Sequence, residues 1–112
     1  MKMSLGHLAI RARDIEASAK FYREVVGFKE AFRSYNGEGG KLGMVYFYIA
    51  PSQFIEIFPN GSGELSDNDT IGIKHICIEV DNAAKCIEEL RGRGAPIDTE
   101  LKTGFCTAVR RC

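Results

Sequence analysis

The stretch "HLAIRARDIEASAKFYREVVG", residues 7–27, decides the fold, because a second stretch 68 residues later repeats its plan. "HICIEVDNAAKCIEELRGRGA", residues 75–95, also opens with a histidine and alternating apolar residues, and it also reaches an Asp or Asn that can cap a helix. Each stretch continues with apolar residues at helical spacing and ends near glycine. The sequence therefore predicts a strand followed by a helix, built twice.

The two predicted helices have boundaries and apolar faces of the same kind. Asp14 is predicted to cap the first helix, and Asp81–Asn82 the second. Gly27 and Gly92–Gly94 are predicted to end them. The residues expected to face the core are Ile15, Ala19, Tyr22 and Val26 in the first helix, and Ala83, Ile87 and Leu90 in the second.

Three further strands are predicted between the helices, at Phe28–Tyr35, Met44–Ala50 and Phe54–Phe58. Their separators, "NGEGGKLG" and "APSQ", are rich in turn residues. We predict one α+β domain over residues 1–112, with a first unit at about 4–59, a linker at about 60–72 and a second unit at about 73–112.

The second unit is expected to be incomplete. Adding the 68-residue offset to the last two predicted strands places their ends near positions 118 and 126, whereas the sequence given stops at Cys112. "TELKTGFCTAVRRC" can supply one to two strands, so the final strand is expected to be missing from this chain, which is either naturally short or truncated.

Composition excludes several classes of function. Fifteen basic and fifteen acidic residues cancel, which argues against a nucleic-acid partner. The longest apolar run, "MVYFYIA", is far shorter than a membrane span. The N-terminus lacks a secretory signal, so we predict a cytoplasmic protein. None of the four cysteines is in a CxxC pair, and Cys77 and Cys86 are predicted to be small buried apolar groups.

Strand alternation places the polar residues of three predicted strands on faces opposite the aliphatic ones. His7 and Arg11 alternate with Leu8 and Ile10, and His75 alternates with apolar neighbours in the same way. In "FIEIF", Glu56 lies between two phenylalanines. Burying a carboxylate in such a strand is costly unless it is paired or bound to a metal.

Two imidazoles and one carboxylate form a plausible divalent-metal set: His7, Glu56 and His75. The residues alone leave a second interpretation open. The histidines could make ordinary hydrogen bonds, and Glu56 could lie at a solvated edge.

Four segments together resemble the vicinal oxygen chelate superfamily, which includes glyoxalase I, methylmalonyl-CoA epimerase, extradiol dioxygenases and bleomycin-resistance proteins. They are the strand-initial histidine, "FYREVVGF", "FIEIF" and "GIKHICIEVDN", and the resemblance runs from about Leu5 to Ile97. It implies two βαβββ units whose sheets curl into an open cup. It also implies a divalent metal, with zinc or nickel expected first and cobalt, manganese or iron as alternatives.

The resemblance assigns the metal ligands to His7, Glu56 and His75. The family's fourth ligand is a glutamate on the final strand, which the repeat would place near position 124, beyond this sequence. In glyoxalase I that glutamate helps to move the substrate proton, so its absence puts catalysis in question. Glu56 is the matched carboxylate left to act as the base.

Two more residues match positions that bind glutathione in glyoxalase I. Arg11 lies four residues after His7, and Asn60 lies four residues after Glu56. A guanidinium on the same strand face as His7 could meet an anionic ligand. The alternatives are an arginine paired with Glu79 or another acid, and an asparagine that serves the "PNG" turn.

The implied activity is that of a glyoxalase I-like lyase, which isomerises the hemithioacetal of a 2-oxoaldehyde and a thiol through an enediolate. Alternatives are a drug-sequestering binding protein with aromatic walls (Tyr46, Tyr48, Phe54 and Phe58), an epimerase of the methylmalonyl-CoA type and an iron dioxygenase. The expected partners are a small-molecule substrate, a thiol adduct among the candidates, and a second copy of the chain. An unpaired sheet edge favours a homodimer.

Overall fold

A computed structural model describes residues 1–65, 67 and 69–97. The chain divides into two compact units, Met1–Gly63 and a second unit from Glu64 onward. No helix in the described residues is both long and apolar enough to cross a membrane.

The first unit contains a strand, a helix and three more strands, as predicted. Each of the last three strands begins within two residues of its predicted start and ends where predicted. The elements are β1 His7–Arg11, α1 Ile15–Lys20, a π-helical segment Phe21–Val26, β2 Lys29–Tyr35, β3 Leu42–Ala50 and β4 Gln53–Phe58. The architecture is α+β, with one open mixed sheet.

The sheet has the strand order β1-β4-β3-β2. β1 pairs with β4 in parallel, whereas β3 pairs antiparallel with both β4 and β2. The parallel pair requires a long crossover, and the helix together with the β2–β3 hairpin supplies it. As a result, residues 7–11 lie beside residues 54–58 although more than 40 positions separate them.

The first helix begins and ends where the sequence predicts. The Asp14 side chain accepts a hydrogen bond from the Ala17 backbone N–H at 3.1 Å, and Gly27 adopts a left-handed φ of 91° at the C-terminus. The π-helical segment was not predicted. In its last turn the Gly27 N–H donates to the Tyr22 carbonyl at 3.0 Å, five residues back.

The core lies between this helix and one face of the sheet. Phe47, Val45 and Ile57 have no exposed surface, and each such side chain contributes roughly 1.5–3 kcal/mol of hydrophobic stabilisation. The other core residues are Ala12, Ile15, Ala19, Tyr22, Leu42 and Ile55. The predicted face of the first helix is confirmed at Ile15, Ala19 and Tyr22, while Val26 is half-buried.

A bulge between β3 and β4 sets which side chains share a face. Ala50 pairs with Gln53 across a two-residue turn, so unbroken pairing would place Phe47 opposite Glu56. A register shift between Tyr48 and Ala50 places Tyr46 opposite Glu56 instead. The bulge therefore keeps Phe47 in the core and aligns Tyr46 with the carboxylate.

In the second unit, α2 spans Ala83–Gly92. Asn82 is its cap and accepts a hydrogen bond from the Lys85 backbone N–H at 3.0 Å, as the sequence predicts. Ile87 and Leu90 are buried and Ala83 is half-buried, in agreement with the predicted apolar face.

The predicted strand at residues 75–80 is not formed in the described structure, which assigns no strand to residues 73–80. A strand needs a hydrogen-bonded neighbour. In the first unit β4 is that neighbour for β1.

Exposure in this segment also differs from the prediction. Ile78 and Val80 are 37% and 42% exposed, and the predicted burial of Cys77 is wrong because this thiol is exposed. Cys86, on α2, is half-buried. The one to two strands predicted within Thr99–Cys112 lie outside the described residues.

Candidate metal and substrate site

His7 begins β1 and points away from the core. It is exposed together with Ala9 and Arg11, whereas the alternating Leu8 and Ile10 are half-buried. Its imidazole centroid lies 5.8 Å from the ring of Tyr46 on β3. The predicted alternation of β1 is therefore confirmed, and the imidazole lies on the face of the sheet opposite the helix.

Glu56 lies on the same face, in the middle of β4. It is half-buried, and its two neighbours along the strand, Ile55 and Ile57, are buried in the core. On one side of it the register places Ala9 of β1, and on the other side Tyr46 of β3. Because Ala9 carries only a methyl group, no bulky side chain from the paired position of β1 covers the carboxylate.

The geometry of the strands makes His7 and Glu56 diagonal neighbours. His7 pairs with Phe54, two residues before Glu56. Strands about 4.8 Å apart, rising about 3.3 Å per residue, place two such Cα atoms about 8 Å apart. An imidazole and a carboxylate extending from these positions can reach one ion, and both are ligand types that zinc and nickel accept.

The third predicted ligand, His75, lies in the second unit. It is exposed and belongs to the segment at residues 73–80, to which the structure assigns no strand. Among the described residues, no three His, Cys, Asp or Glu side chains form a metal-binding group. The first unit thus brings together two of the three predicted ligands.

Aromatic rings cover the sheet around these two ligands. We call this surface the aromatic face; it comprises His7, Arg11, Phe32, Tyr46, Tyr48, Phe54, Glu56 and Phe58. Tyr46 stacks on Phe32 with ring centroids 4.7 Å apart, and it meets Phe54 at 5.7 Å. Tyr48 meets the same Phe54 ring at 5.9 Å. The face offers a largely apolar wall with one carboxylate in it.

The Glu56 carboxylate affects the tyrosine beside it. Hydrogen bonding to Glu56 raises the pKa of Tyr46, and partial burial and the negative charge of Glu56 act in the same direction. The phenol is therefore held in its protonated form, in which it can donate a hydrogen bond.

Arg11 and Asn60 lie close together at the end of β1 and β4. Arg11 Nη1 donates to the Pro59 carbonyl at 2.8 Å, and its guanidinium carbon lies 5.3 Å from the Phe58 ring centroid. Asn60 follows directly, with a left-handed φ of 61° that asparagine tolerates. The next residue, Gly61, donates to the Ala12 carbonyl at 2.8 Å.

Close packing explains why Gly61 follows this turn. A Cβ at Gly61 would lie 3.0 Å from the Ala12 carbonyl carbon and 3.2 Å from the Arg13 nitrogen, so a larger residue would push the turn away from β1. Arg13 also donates through Nη2 to the Gly63 carbonyl. Hydrogen bonds from the side chains of Arg11 and Arg13 thus hold residues 59–63 against the end of β1.

Sequence reasoning missed two features of the site. Phe32 was not expected on the aromatic face, because only the β2–β3 register shows that it stacks on Tyr46. Tyr46 was expected as part of a wall but not as the neighbour of Glu56. The "APSQ" turn indicates that the strands on either side of it pair. Without the bulge, however, a two-residue turn predicts Phe47 rather than Tyr46 opposite Glu56.

Comparison with known proteins identifies the family. The model of the Glyoxalase/Bleomycin resistance protein/Dioxygenase superfamily matches residues 4–111. The chain therefore belongs to this superfamily, as the resemblance in its sequence predicts.

Its relatives include enzymes with two different names. Mitochondrial methylmalonyl-CoA epimerase of Mus musculus is 30% identical over 92 residues, which cover 78% of this chain and 51% of the relative. Lactoylglutathione lyase of Salmonella typhimurium is 32% identical over 101 residues, covering 88% of this chain and 73% of the relative. The chain thus spans about half the length of the mouse relative.

A solved structure supports the fold. Glyoxalase I of Leishmania major, described as trypanothione-dependent, aligns with a TM-score of 0.65 and 24% identity, covering 93% of this chain and 76% of that one. At this identity the likeness concerns the fold alone.

Proposed function

We propose that this protein is a metal-dependent lyase of the glyoxalase I type, which moves a proton between adjacent carbons of a 2-oxoaldehyde–thiol hemithioacetal. The observation that carries the proposal is the placement of His7 and Glu56 on one exposed face of adjacent strands. Relatives named lactoylglutathione lyase support the choice of reaction.

Glu56 is the proposed catalytic base. It is the only acidic residue in β1, β3 and β4, and it faces away from the core. A single carboxylate can remove a proton from one carbon and return it to the neighbouring carbon on the same side of the substrate. This proton path is the one that isomerisation of a hemithioacetal requires.

His7, Glu56 and His75 are the residues proposed to hold a divalent metal, with zinc or nickel preferred. When bound, such an ion would supply Lewis-acid stabilisation of negative charge that develops on the substrate oxygens. His7 and Glu56 supply one imidazole and one carboxylate on a shared face, and the matched histidine of the second unit would supply the third donor.

Arg11 is proposed to bind an anionic group of the substrate, with Asn60 beside it. A guanidinium carries five N–H donors, and the bond from Nη1 to the Pro59 carbonyl fixes its position at the end of the aromatic face. Because glutathione and coenzyme A are both anionic, Arg11 does not distinguish between their derivatives.

An epimerase acting on an acyl-CoA is the second candidate, favoured by the match to the mouse methylmalonyl-CoA epimerase. Inverting a carbon requires proton removal on one side and proton return on the other, so it calls for a second acid facing Glu56. The first unit places one carboxylate, Glu56, on the aromatic face, so an epimerase would need a second acid from outside this unit.

A non-catalytic binding protein is the third candidate. The stacked rings of Phe32 and Tyr46, together with Phe54 and Tyr48, present a surface suited to a flat apolar molecule. In that case ligand would bind without metal.

One set of assays separates the three candidates. Purified protein loaded with nickel or zinc is given methylglyoxal with glutathione, and in parallel one epimer of methylmalonyl-CoA in heavy water. The lyase predicts thioester formation from the first substrate and no deuterium uptake by the second. Deuterium uptake alone identifies the epimerase, and metal-independent binding of an aromatic drug without turnover identifies the binding protein.

A homodimer is proposed for the assembled protein. In the described sheet β1 and β2 are the edge strands, and an edge strand is a natural place for pairing with another chain. Light scattering should give twice the 12.4 kDa mass of the chain. A monodisperse monomer at micromolar concentration would contradict this assignment.

A further inference from the structure

We infer that Tyr46 is a positioning residue for Glu56: its hydroxyl holds the carboxylate in one orientation toward His7. This inference rests on the proposed function, in which Glu56 binds metal and moves the proton. It adds a role for a residue that was expected only in the aromatic wall of a binding protein.

The sheet register makes Tyr46 the direct cross-strand partner of Glu56. Neither strand is free to slide, because the bulge between Tyr48 and Ala50 fixes the pairing. The opposite neighbour of Glu56 is Ala9, which has no polar side-chain atom. In its own row of the sheet, Glu56 therefore has one polar neighbour, the Tyr46 hydroxyl.

The ring of Tyr46 is itself held in place. Phe32 stacks on it with an interplanar angle of 12°, and Phe54 meets it at 60°. The imidazole of His7 lies 5.8 Å from the same ring. A phenol packed among these rings has little rotational freedom, so its hydroxyl is presented to the carboxylate at a fixed place.

This arrangement has a chemical purpose. A carboxylate has two oxygens, and a hydrogen bond to one of them leaves the other directed toward a metal or a substrate proton. Hydrogen-bonded partners of metal-binding groups usually contribute 10- to 100-fold in affinity or activity. Tyr46 would thus act through Glu56 without touching the substrate.

The test compares Tyr46→Phe with two other tyrosine variants. Tyr48→Phe removes a hydroxyl on the same strand, two residues away and opposite Phe54 rather than Glu56. Tyr35→Phe removes an exposed hydroxyl at the end of β2, outside the aromatic face. The first readout is the ¹³C resonance of the Glu56 side-chain carboxyl in metal-free protein, assigned by its loss in Glu56→Gln.

The inference predicts that Tyr46→Phe shifts this resonance while Tyr48→Phe and Tyr35→Phe leave it in place. In nickel titrations Tyr46→Phe should bind about 10-fold more weakly than wild type. It should also lower kcat more than it changes KM, whereas Tyr35→Phe should preserve both. An unchanged Glu56 resonance in Tyr46→Phe would overturn the inference.

The same experiment separates the inference from the proposed function. If wild-type protein binds no nickel and turns over neither substrate, the proposed function fails, and the carboxyl resonance still decides whether Tyr46 holds Glu56. If wild type is active but Tyr46→Phe matches it in nickel affinity and kcat, the proposed function stands and the positioning role is wrong.

Discussion

The two units of the chain open with the same pattern, yet only the first forms a strand in the described structure. His7–Arg11 is hydrogen-bonded along its length to β4, whereas residues 73–80 are assigned to no strand and include three exposed β-branched residues, Ile73, Ile78 and Val80. The helices that follow both form, each with its capping side chain in place. A helix satisfies its own backbone, but a strand depends on a neighbour.

This contrast bears on the candidate site because the proposed metal ligands come from both units. His7 and Glu56 are placed by a paired sheet with a closed core on its other face. His75 belongs to the segment without strand pairing. Rigid strands hold ligands more accurately than an unpaired segment does. We therefore expect the first unit to dominate stability and proton transfer, and the second to contribute mainly to metal affinity.

The largest expected effect concerns stability. Phe47→Ala removes a fully buried ring of the first unit and should lower the free energy of unfolding by about 3–5 kcal/mol. Ile78→Ala truncates a side chain that is 37% exposed in the second unit, so it should change the free energy of unfolding by less than about 1 kcal/mol. Urea denaturation followed by circular dichroism measures both, and equal losses would contradict the contrast between the units.

The next effect concerns catalysis and pairs one residue from each unit. Glu56→Gln should lower kcat/KM by about 100-fold or more, and excess metal should not restore it, because the base itself is lost. His75→Ala should lower activity through metal affinity, so excess nickel should restore part of it. Steady-state assays over a range of nickel concentrations distinguish the two.

Glu24→Gln is the matched control for that experiment. Glu24 is exposed on the π-helical segment, away from the aromatic face, and its change should leave kcat/KM as in wild type. Recovery of Glu56→Gln by added metal would show that Glu56 is a ligand only and does not move the proton.

The smallest effect concerns a turn of the second unit. Asp67 accepts hydrogen bonds from the Thr70 hydroxyl at 2.7 Å and from the Asp69 and Thr70 backbone N–H groups. These hydrogen bonds lower the pKa of Asp67. The bond from the Thr70 hydroxyl has the largest effect, and those from the backbone N–H groups follow. A lowered folded-state pKa means that this turn is stabilised above the ordinary Asp pKa and that the stabilisation is lost as pH falls through the folded-state value.

Thr70→Ala should therefore raise the pKa of Asp67 toward its ordinary value, while Thr70→Ser should keep it low. Carboxyl ¹³C shifts followed against pH measure the pKa in each variant. An identical pKa in Thr70→Ala and wild type would show that the hydroxyl does not hold the turn.

Local features of the fold were predictable from the sequence. The caps Asp14 and Asn82 and the ends of β2, β3 and β4 depend on residues close in the chain, and the structure confirms them. The alternation of β1 and β4 is equally local and correctly placed His7 and Glu56 opposite the core. These signals need no knowledge of which strands pair.

Features that depend on pairing were harder to predict. The parallel β1–β4 pair joins segments that are distant in the chain, and no periodicity of the sequence indicates it. The bulge at Ile49 shifts the β3–β4 pairing by one residue, and the π-helical turn before Gly27 lengthens a helical turn by one residue. A hydrophobic pattern does not determine either shift. The partnership of Tyr46 and Glu56 depends on that bulge and was missed for this reason.

The central claim is that His7, Glu56 and His75 bind one metal ion. Isothermal titration of metal-free protein with nickel tests it most directly, using wild type, His7→Ala, Glu56→Gln and His75→Ala. The account predicts one ion per chain in wild type and markedly weaker binding in each of the three variants. Absence of binding in wild type, or a His75→Ala variant that binds nickel as tightly as wild type, would contradict it.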